Sequence, residues 1–273
     1  MGRVGHVEVR KLLALAALLL GSCDSIPERT ITACADPNNL PFSNKAGQGF
    51  ENKLAQMIAS ELHARLNYVW WAQRRGYVRN TLNEKKCDFW PGVATNVEML
   101  ATTRPYYRST YVFVSRADEK LSGLTLDDPR LKQLKIGVEL VGDDASNTPP
   151  AHALASRGIV DNVRGYLLYG EYSEPNPPAE IVRAVERRDV DVALVGGPLA
   201  GYFAAKSPVP LRLDPVTPWM ADMQWPMQFD ISVGVQRDNQ KLLKEIDRIL
   251  AARSGDIGKL LDAYHVPVVA FAT

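Results

Sequence analysis

Few side chains in this sequence are placed to do chemistry. Four histidines, His6, His63, His152 and His265, lie far apart along the chain. No HExxH, no GxSxG, no phosphate-cradling Walker loop and no dinucleotide-type glycine fingerprint occurs. Asp143, Asp144 and Asn147, after Gly142 and before Thr148, group oxygen donors as a hard cation would need. EF-hand spacing and a bidentate glutamate at the twelfth position are both absent, so helix capping or ligand contact is the expected role, not metal binding. Without a nucleophile–base set or a metal cluster, the sequence predicts a non-enzymatic protein with no cofactor.

Binding chemistry is better represented. Asp36 and Asn38 sit in a Pro/Asn-rich loop, where such side chains also close Asx turns. Phe42 follows in the same loop. Arg74, Arg75 and Arg79 form a basic group around Tyr77, either a solvated face or an interface of the guanidinium–aromatic kind. Tyr106, Tyr107 and Arg108 precede an apolar extended segment, one tyrosine expected in the core and the other facing a crevice. Gly196 and Gly197 allow close backbone approach to a ligand, or a tight strand-to-helix turn.

The elements that must position these groups alternate. Strands are predicted at 30–35, 66–71, 87–93 and 111–115, with helices at 50–62 and 78–84 between them. Phe50, Leu54, Met57, Ile58 and Leu62 carry the first helix by their spacing. A second series follows, with strands at 135–138, 191–195 and 231–235 and helices at 151–157, 178–188, 240–253 and 257–264. Such alternation predicts parallel α/β sheets with crossover helices. Two series joined by extended segments near 111–116 and 229–236 give two lobes and a two-segment hinge. The first lobe is expected at 30–112 plus 232–265 and the second at 117–228. The ligand crevice then falls between them, at the carboxyl ends of the strands.

Composition agrees with a folded protein and narrows its partners. The 273 residues are 46% hydrophobic and 23% charged, with a formal net charge of +1. That balance lies outside the disordered range and lacks the basic excess of a nucleic-acid binder. At the N-terminus, Arg3, Arg10 and Lys11 precede the apolar run Leu12–Leu20, and Gly21, Ser22 and Cys23 follow. The apolar run is too short to span a bilayer, and its layout over residues 1–23 is that of a secretory signal. Leu20-Gly-Ser-Cys23 also resembles the bacterial lipoprotein box, with Cys23 as the lipidation candidate and Asp24 resembling an inner-membrane retention signal. Ordinary cleavage nearby, releasing a soluble periplasmic protein, is the alternative. In an oxidising compartment Cys34 and Cys87 invite a disulfide, although their strands look offset; two buried free thiols is the other reading.

Longer motifs carry a resemblance. Asp36-Pro-Asn-Asn-Leu-Pro-Phe42, Gly49-Phe-Glu51, Cys87-Asp88, Thr103-Arg-Pro-Tyr-Tyr107, Lys135-Ile-Gly-Val138 and Asp189-Val-Asp-Val-Ala193 resemble type II periplasmic solute-binding proteins, covering nearly all of the chain after the leader. CADPNNLPFSN, QRRGYVRNTL, TRPYYRSTYVFV and DVALVGGPLAGYFA are similar to a narrower group, the J-type proteins of methanol dehydrogenase clusters, associated with quinoprotein alcohol dehydrogenases. That resemblance implies a type II binding fold in the periplasm, and a PQQ-dependent methanol or alcohol dehydrogenase as protein partner. A substrate-binding component of a transporter for a small solute is the alternative.

The same resemblance tests the ligand. In amino-acid-binding relatives an arginine just past the third strand clamps the ligand carboxylate, a bidentate task suited to guanidinium. Here Gly92–Glu98 holds no arginine. The aspartate that holds the ligand ammonium in those relatives corresponds to Gly196. A standard amino acid is therefore not the expected ligand. One stretch stays irregular, 208–229, with five prolines, two tryptophans and three methionines. Trp219 and Trp225, read as exposed, join Arg74 as candidate partner contacts.

Overall fold

The structure, a computed structural model, describes residues 1–2, 29–141, 147–169 and 172–271. Cys23 and the rest of the leader from Arg3 onward lie outside the described residues, as do Gly142, Asp143 and Asp144.

The first half builds a sheet on β1 (Thr30–Ala35), flanked in parallel by β2 (Arg65–Trp70) and β3 (Phe89–Ala94). Helix α1 (Phe50–Glu61) crosses between β1 and β2, and its Phe50, Leu54 and Ile58 are buried as their spacing requires. The short α2 (Tyr77–Asn80) leads toward β3 and ends earlier than expected, in a run of turns. The chain then enters β4 (Tyr107–Arg116), a long strand that leaves this half.

The second half is built on β5 (Ile136–Leu140), β6 (Val163–Leu167) and β7 (Val192–Gly196), which run parallel in the order β7-β5-β6. Helices α3 (Pro149–Ser156) and α4 (Glu180–Glu186) cover them, with Leu154 on one apolar cluster and Ile181, Val182 and Val185 on another. Helix α5 (Gly197–Ala204) starts directly from β7. Strand β8 (Leu211–Pro215) joins an edge of β4, where a proline costs no ladder hydrogen bond. Strand β6, helix α5 and strand β8 were not anticipated. VRGYL has exposed residues on an edge, and the Gly-Pro opening of α5 reads as a turn.

Strand β9 (Gln228–Val235) returns the chain to the first half, where α6 (Gln240–Ala252) and α7 (Ser254–Ala263) close it. Leu242, Ile246 and Leu250 recur every four residues and are buried against the core containing Phe50, Phe89 and Val233.

The two halves share their central strands. Tyr107–Thr110 of β4 pairs antiparallel with Ile231–Gln228 of β9, while Tyr111–Ser115 pairs with Gly196–Val192 of β7. One strand thus hands over from the first sheet to the second between residues 110 and 111. Arg108 and Asp230, directly opposite on this pair, form a bidentate ion pair with N–O distances of 2.5 and 2.9 Å. After α7 the chain runs back across the same place: Ser109 Oγ donates to Pro267 O at 2.6 Å and Val269 N to Arg108 O at 2.9 Å.

Candidate functional site

A cavity of about 320 Å³ opens between the halves. Phe42, Glu51 and Gly92 line it from the first half, Glu139, Tyr169 and Gly196 from the second, and Tyr107, Tyr111 and Phe229 from the connecting strands. Most of its lining is apolar or aromatic, and no lysine, arginine or histidine is among the described lining residues.

Two acids face this space. Glu51, in the first turn of α1, is 3% exposed, and its Oε2 finds no hydrogen-bond partner among the described residues. Burial pushes its carboxyl up to about 8, and the charge of Asp36 adds to the effect. Glu139, on the buried parallel strand β5, is pushed up to about 7 by burial, although the Gly196 N–H donates to its Oε2 at 2.9 Å and opposes the shift. Desolvation dominates in both, so each carboxyl holds its proton far above the ordinary carboxylate range. Tyr107 and Tyr111 are raised as well, by burial and then by Glu51 and Glu139 respectively. Room for the Glu51 carboxylate comes from Gly92, where a Cβ would lie 1.8 Å from Glu51 Oε1.

Neither acid was assigned a role from the sequence. Glu51 stood in the Gly49-Phe-Glu51 motif, where an acid in a first helical turn looks like ordinary dipole chemistry. Glu139 carried a usable signal: a lone acid inside the apolar run Ile136–Leu140 of a doubly covered strand has to meet something.

The expected site residues divide. Phe42, Tyr107 and Gly196 line the cavity. Tyr107 is buried, while the Tyr106 hydroxyl turns to Pro91 O at 3.1 Å. Asp36 and Asn38, expected in the cleft, are not among the lining residues and instead tie the halves together. The Asp36 carboxylate accepts from Asn38 N at 2.8 Å, from Gln73 N at 2.7 Å and, across the cleft, from the Tyr172 hydroxyl. The Asn38 Nδ2 donates to Glu174 O at 3.0 Å, also across the cleft. Arg74 lays its guanidinium over the Tyr172 ring, 4.4 Å from the centroid, and so takes part in this clasp.

Others fall elsewhere. Arg75 and Asn147 are exposed and do not line the cavity. Tyr77 is buried against Trp90 beneath the first sheet, with ring centroids 4.6 Å apart. Arg108 is spent on Asp230 and stacks near Phe271. Gly197 serves packing, since a Cβ there would come within 2.5 Å of Thr110 O. Trp219 is 59% exposed, whereas Trp225, read as exposed, is half-buried, with its ring stacked on His152 at 4.0 Å. Cys34 and Cys87 form a disulfide with Cα atoms 5.5 Å apart. Cys87 falls in the turn before β3 instead of inside it, so the strand offset does not apply. Among the described residues no group of three His, Cys, Asp or Glu is arranged to hold a metal, and no helix is long and apolar enough to cross a membrane.

Two α/β halves sharing two crossing strands, with a cavity between them at the carboxyl ends of β1, β5 and β7, define a two-lobed binding protein of type II topology. The profile of the bacterial extracellular solute-binding proteins, family 3, matches residues 31–266, and the chain belongs to that family. It is 31% identical over 252 residues to Protein MoxJ of Methylorubrum extorquens, covering 88% of this chain and 82% of that protein. The crystal structure of the periplasmic binding protein XoxJ from Methylobacterium extorquens AM1 is similar at a TM-score of 0.72 and 36% identity, over 89% of this chain and 100% of that one. MxaJ from Methlophaga aminisulfidivorans MPT aligns at a TM-score of 0.73 and 25% identity, over 88% and 100%. The chain is a MoxJ-type periplasmic binding protein.

Proposed function

We propose that this protein is a non-enzymatic periplasmic factor that associates with a PQQ-dependent methanol or alcohol dehydrogenase and supports its maturation or activity. The observation that carries the reading is the likeness to MoxJ and XoxJ over 88% and 89% of the chain, set beside a cavity with no basic side chain among its described lining residues. No guanidinium is among the described lining residues, and by the resemblance to amino-acid receptors Gly196 stands where their ammonium-binding aspartate would be. Exposed Trp219 is the candidate dehydrogenase contact. Cys23 in its lipoprotein-type box is the candidate anchor to the inner membrane.

The test is affinity capture of the tagged protein from the periplasm of methanol-grown cells. Recovery of a quinoprotein dehydrogenase is expected. A dehydrogenase that matures and turns over normally in a strain lacking this protein would end the reading.

A second reading, a receptor delivering a small solute other than a standard amino acid to a permease, is favoured by the cavity between the halves and the clasp that joins them. It requires a solute that raises the melting temperature through mass action.

A further inference from the structure

We propose that the cavity between the lobes binds a small organic ammonium group, with Glu51 and Glu139 as its anionic contacts and the surrounding aromatic rings as its walls. Glu51 is badly served as it stands. Glu51 buries a carboxyl oxygen without a hydrogen-bond partner among the described residues, an arrangement that costs free energy until a donor arrives. Glu139 has a backbone N–H on one oxygen and faces the same space from the opposite lobe. An ammonium supplies N–H donors together with the positive charge that a desolvated carboxylate lacks. Phe42, Tyr107, Tyr111 and Phe229 line the cavity around the acids, and aromatic faces attract cations. With no basic side chain among the described lining residues, nothing there pairs with a ligand carboxylate. A monoamine is accepted where a zwitterionic amino acid is refused.

Binding changes the protonation of the site. Glu51 feels Asp36 and lies near Tyr77, Tyr106 and Tyr107, while Glu139 faces Tyr111. Burial raises all four tyrosines, which stay neutral near pH 7, so the acids are the groups that change charge there. When the ammonium enters, a carboxyl releases its proton to solvent and the ion pair forms. Affinity therefore rises with pH through about 7 and about 8, the ranges of Glu139 and Glu51. The ammonium can belong to a free amine or to a lysine side chain of a partner. The inference rests on the cavity alone and is independent of the dehydrogenase reading.

Titration calorimetry on the protein purified from periplasm tests it, with benzylammonium, benzyl alcohol, benzoate and a capped lysine (Nα-acetyl-lysine methylamide) as probes. Benzylammonium is expected to bind with proton release, its Kd falling about tenfold or more from pH 6 to pH 8, since each pH unit changes a single linked proton's contribution by up to tenfold. Benzyl alcohol binds at least about tenfold more weakly and benzoate gives no heat, as loss of a charge-assisted contact requires. Glu51→Gln and Glu139→Gln, near-isosteric and uncharged, each weaken the amine by about tenfold or more. Tighter binding of capped lysine than of benzylammonium assigns the group to a partner's side chain, and the reverse order assigns it to a free amine. Absence of heat from both amines at millimolar concentration overturns the proposal. So does equal binding of the alcohol, or an unchanged Kd in a glutamine variant that retains the parent melting temperature.

Discussion

Glu51 and Gly92 are fitted to each other: a Cβ at residue 92 would sit 1.8 Å from Glu51 Oε1, so the buried acid exists only because β3 leaves that space empty. Gly92→Ala should therefore drive the carboxylate off its site. The overpacking is expected to destabilise the fold by about 1–3 kcal/mol. The double variant with Glu51→Ala should recover most of that loss. Urea unfolding of both variants is the check, and additive losses would mean the two positions are uncoupled.

The acids give stability a defined pH dependence. Glu51 keeps its proton up to about 8 when folded and loses it near 4.5 when unfolded. Between those values the folded state binds more protons, so stability is full below about 4.5, falls as pH rises and levels off above about 8. Glu139, at about 7, contributes in the same direction over a narrower window. Each pH unit is worth up to about 1.4 kcal/mol per group, so Glu51→Gln should flatten the curve and be the more stable form at pH 8.5 by several kcal/mol. Melting scans from pH 5 to pH 9 would show it, and parallel curves for the two proteins would contradict it.

The clasp across the cleft joins the lobes through Tyr172 and Asp36, with Asn38 and Arg74 beside them. Tyr172→Phe removes the hydroxyl donor and keeps the ring beneath Arg74. A hydrogen bond to a charged acceptor contributes about 1.5–3 kcal/mol, enough to shift a two-state closure by about tenfold to a hundredfold. Small-angle scattering should report a larger mean radius of gyration for the variant. An unchanged scattering curve would show that closure does not depend on this contact.

The disulfide Cys34–Cys87 closes a loop with a sequence separation of 53. Replacing both cysteines by alanine should cost about 4 kcal/mol on the chain-entropy estimate for a loop of that size. The loss should appear in guanidinium unfolding of the oxidised protein and vanish when wild type is compared under reducing conditions.

The two tryptophans of the proline-rich stretch should behave differently. Trp219→Ala, at an exposed position, should change stability by no more than about 0.5 kcal/mol and reduce dehydrogenase recovery in affinity capture. Trp225→Ala removes the ring stacked on His152 and should cost about 2 kcal/mol. Undiminished capture by Trp219→Ala would remove it from the docking surface.

Much of the architecture was written locally. The spacing of Phe50, Leu54 and Ile58, the apolar runs at 136–140 and 192–196, and the four-residue rhythm of Leu242, Ile246 and Leu250 each point to an element by themselves, because a helix buried on one face requires that period and a strand covered on both faces requires a run. The alternation of those elements, with the motifs around Asp36 and Thr103, was enough to specify a two-lobed fold of parallel sheets. Edge strands such as Val163–Leu167 and Leu211–Pro215 escaped, since strands with one partner need no apolar signature.

The site belonged to the tertiary structure. Phe42, Tyr107 and Gly196 were visible beforehand because aromatic residues and glycines at strand ends point to crevices in this kind of fold. Asp36 and Asn38 became contacts between the halves only once Tyr172 and Glu174, more than 130 residues away, were brought across the cleft. Glu51 and Glu139 lie 88 positions apart in the sequence, where Glu51 looks like an ordinary helix acid and only the apolar run around Glu139 points to its burial. Tertiary packing withdraws water from both, and that desolvation gives the pair its chemistry.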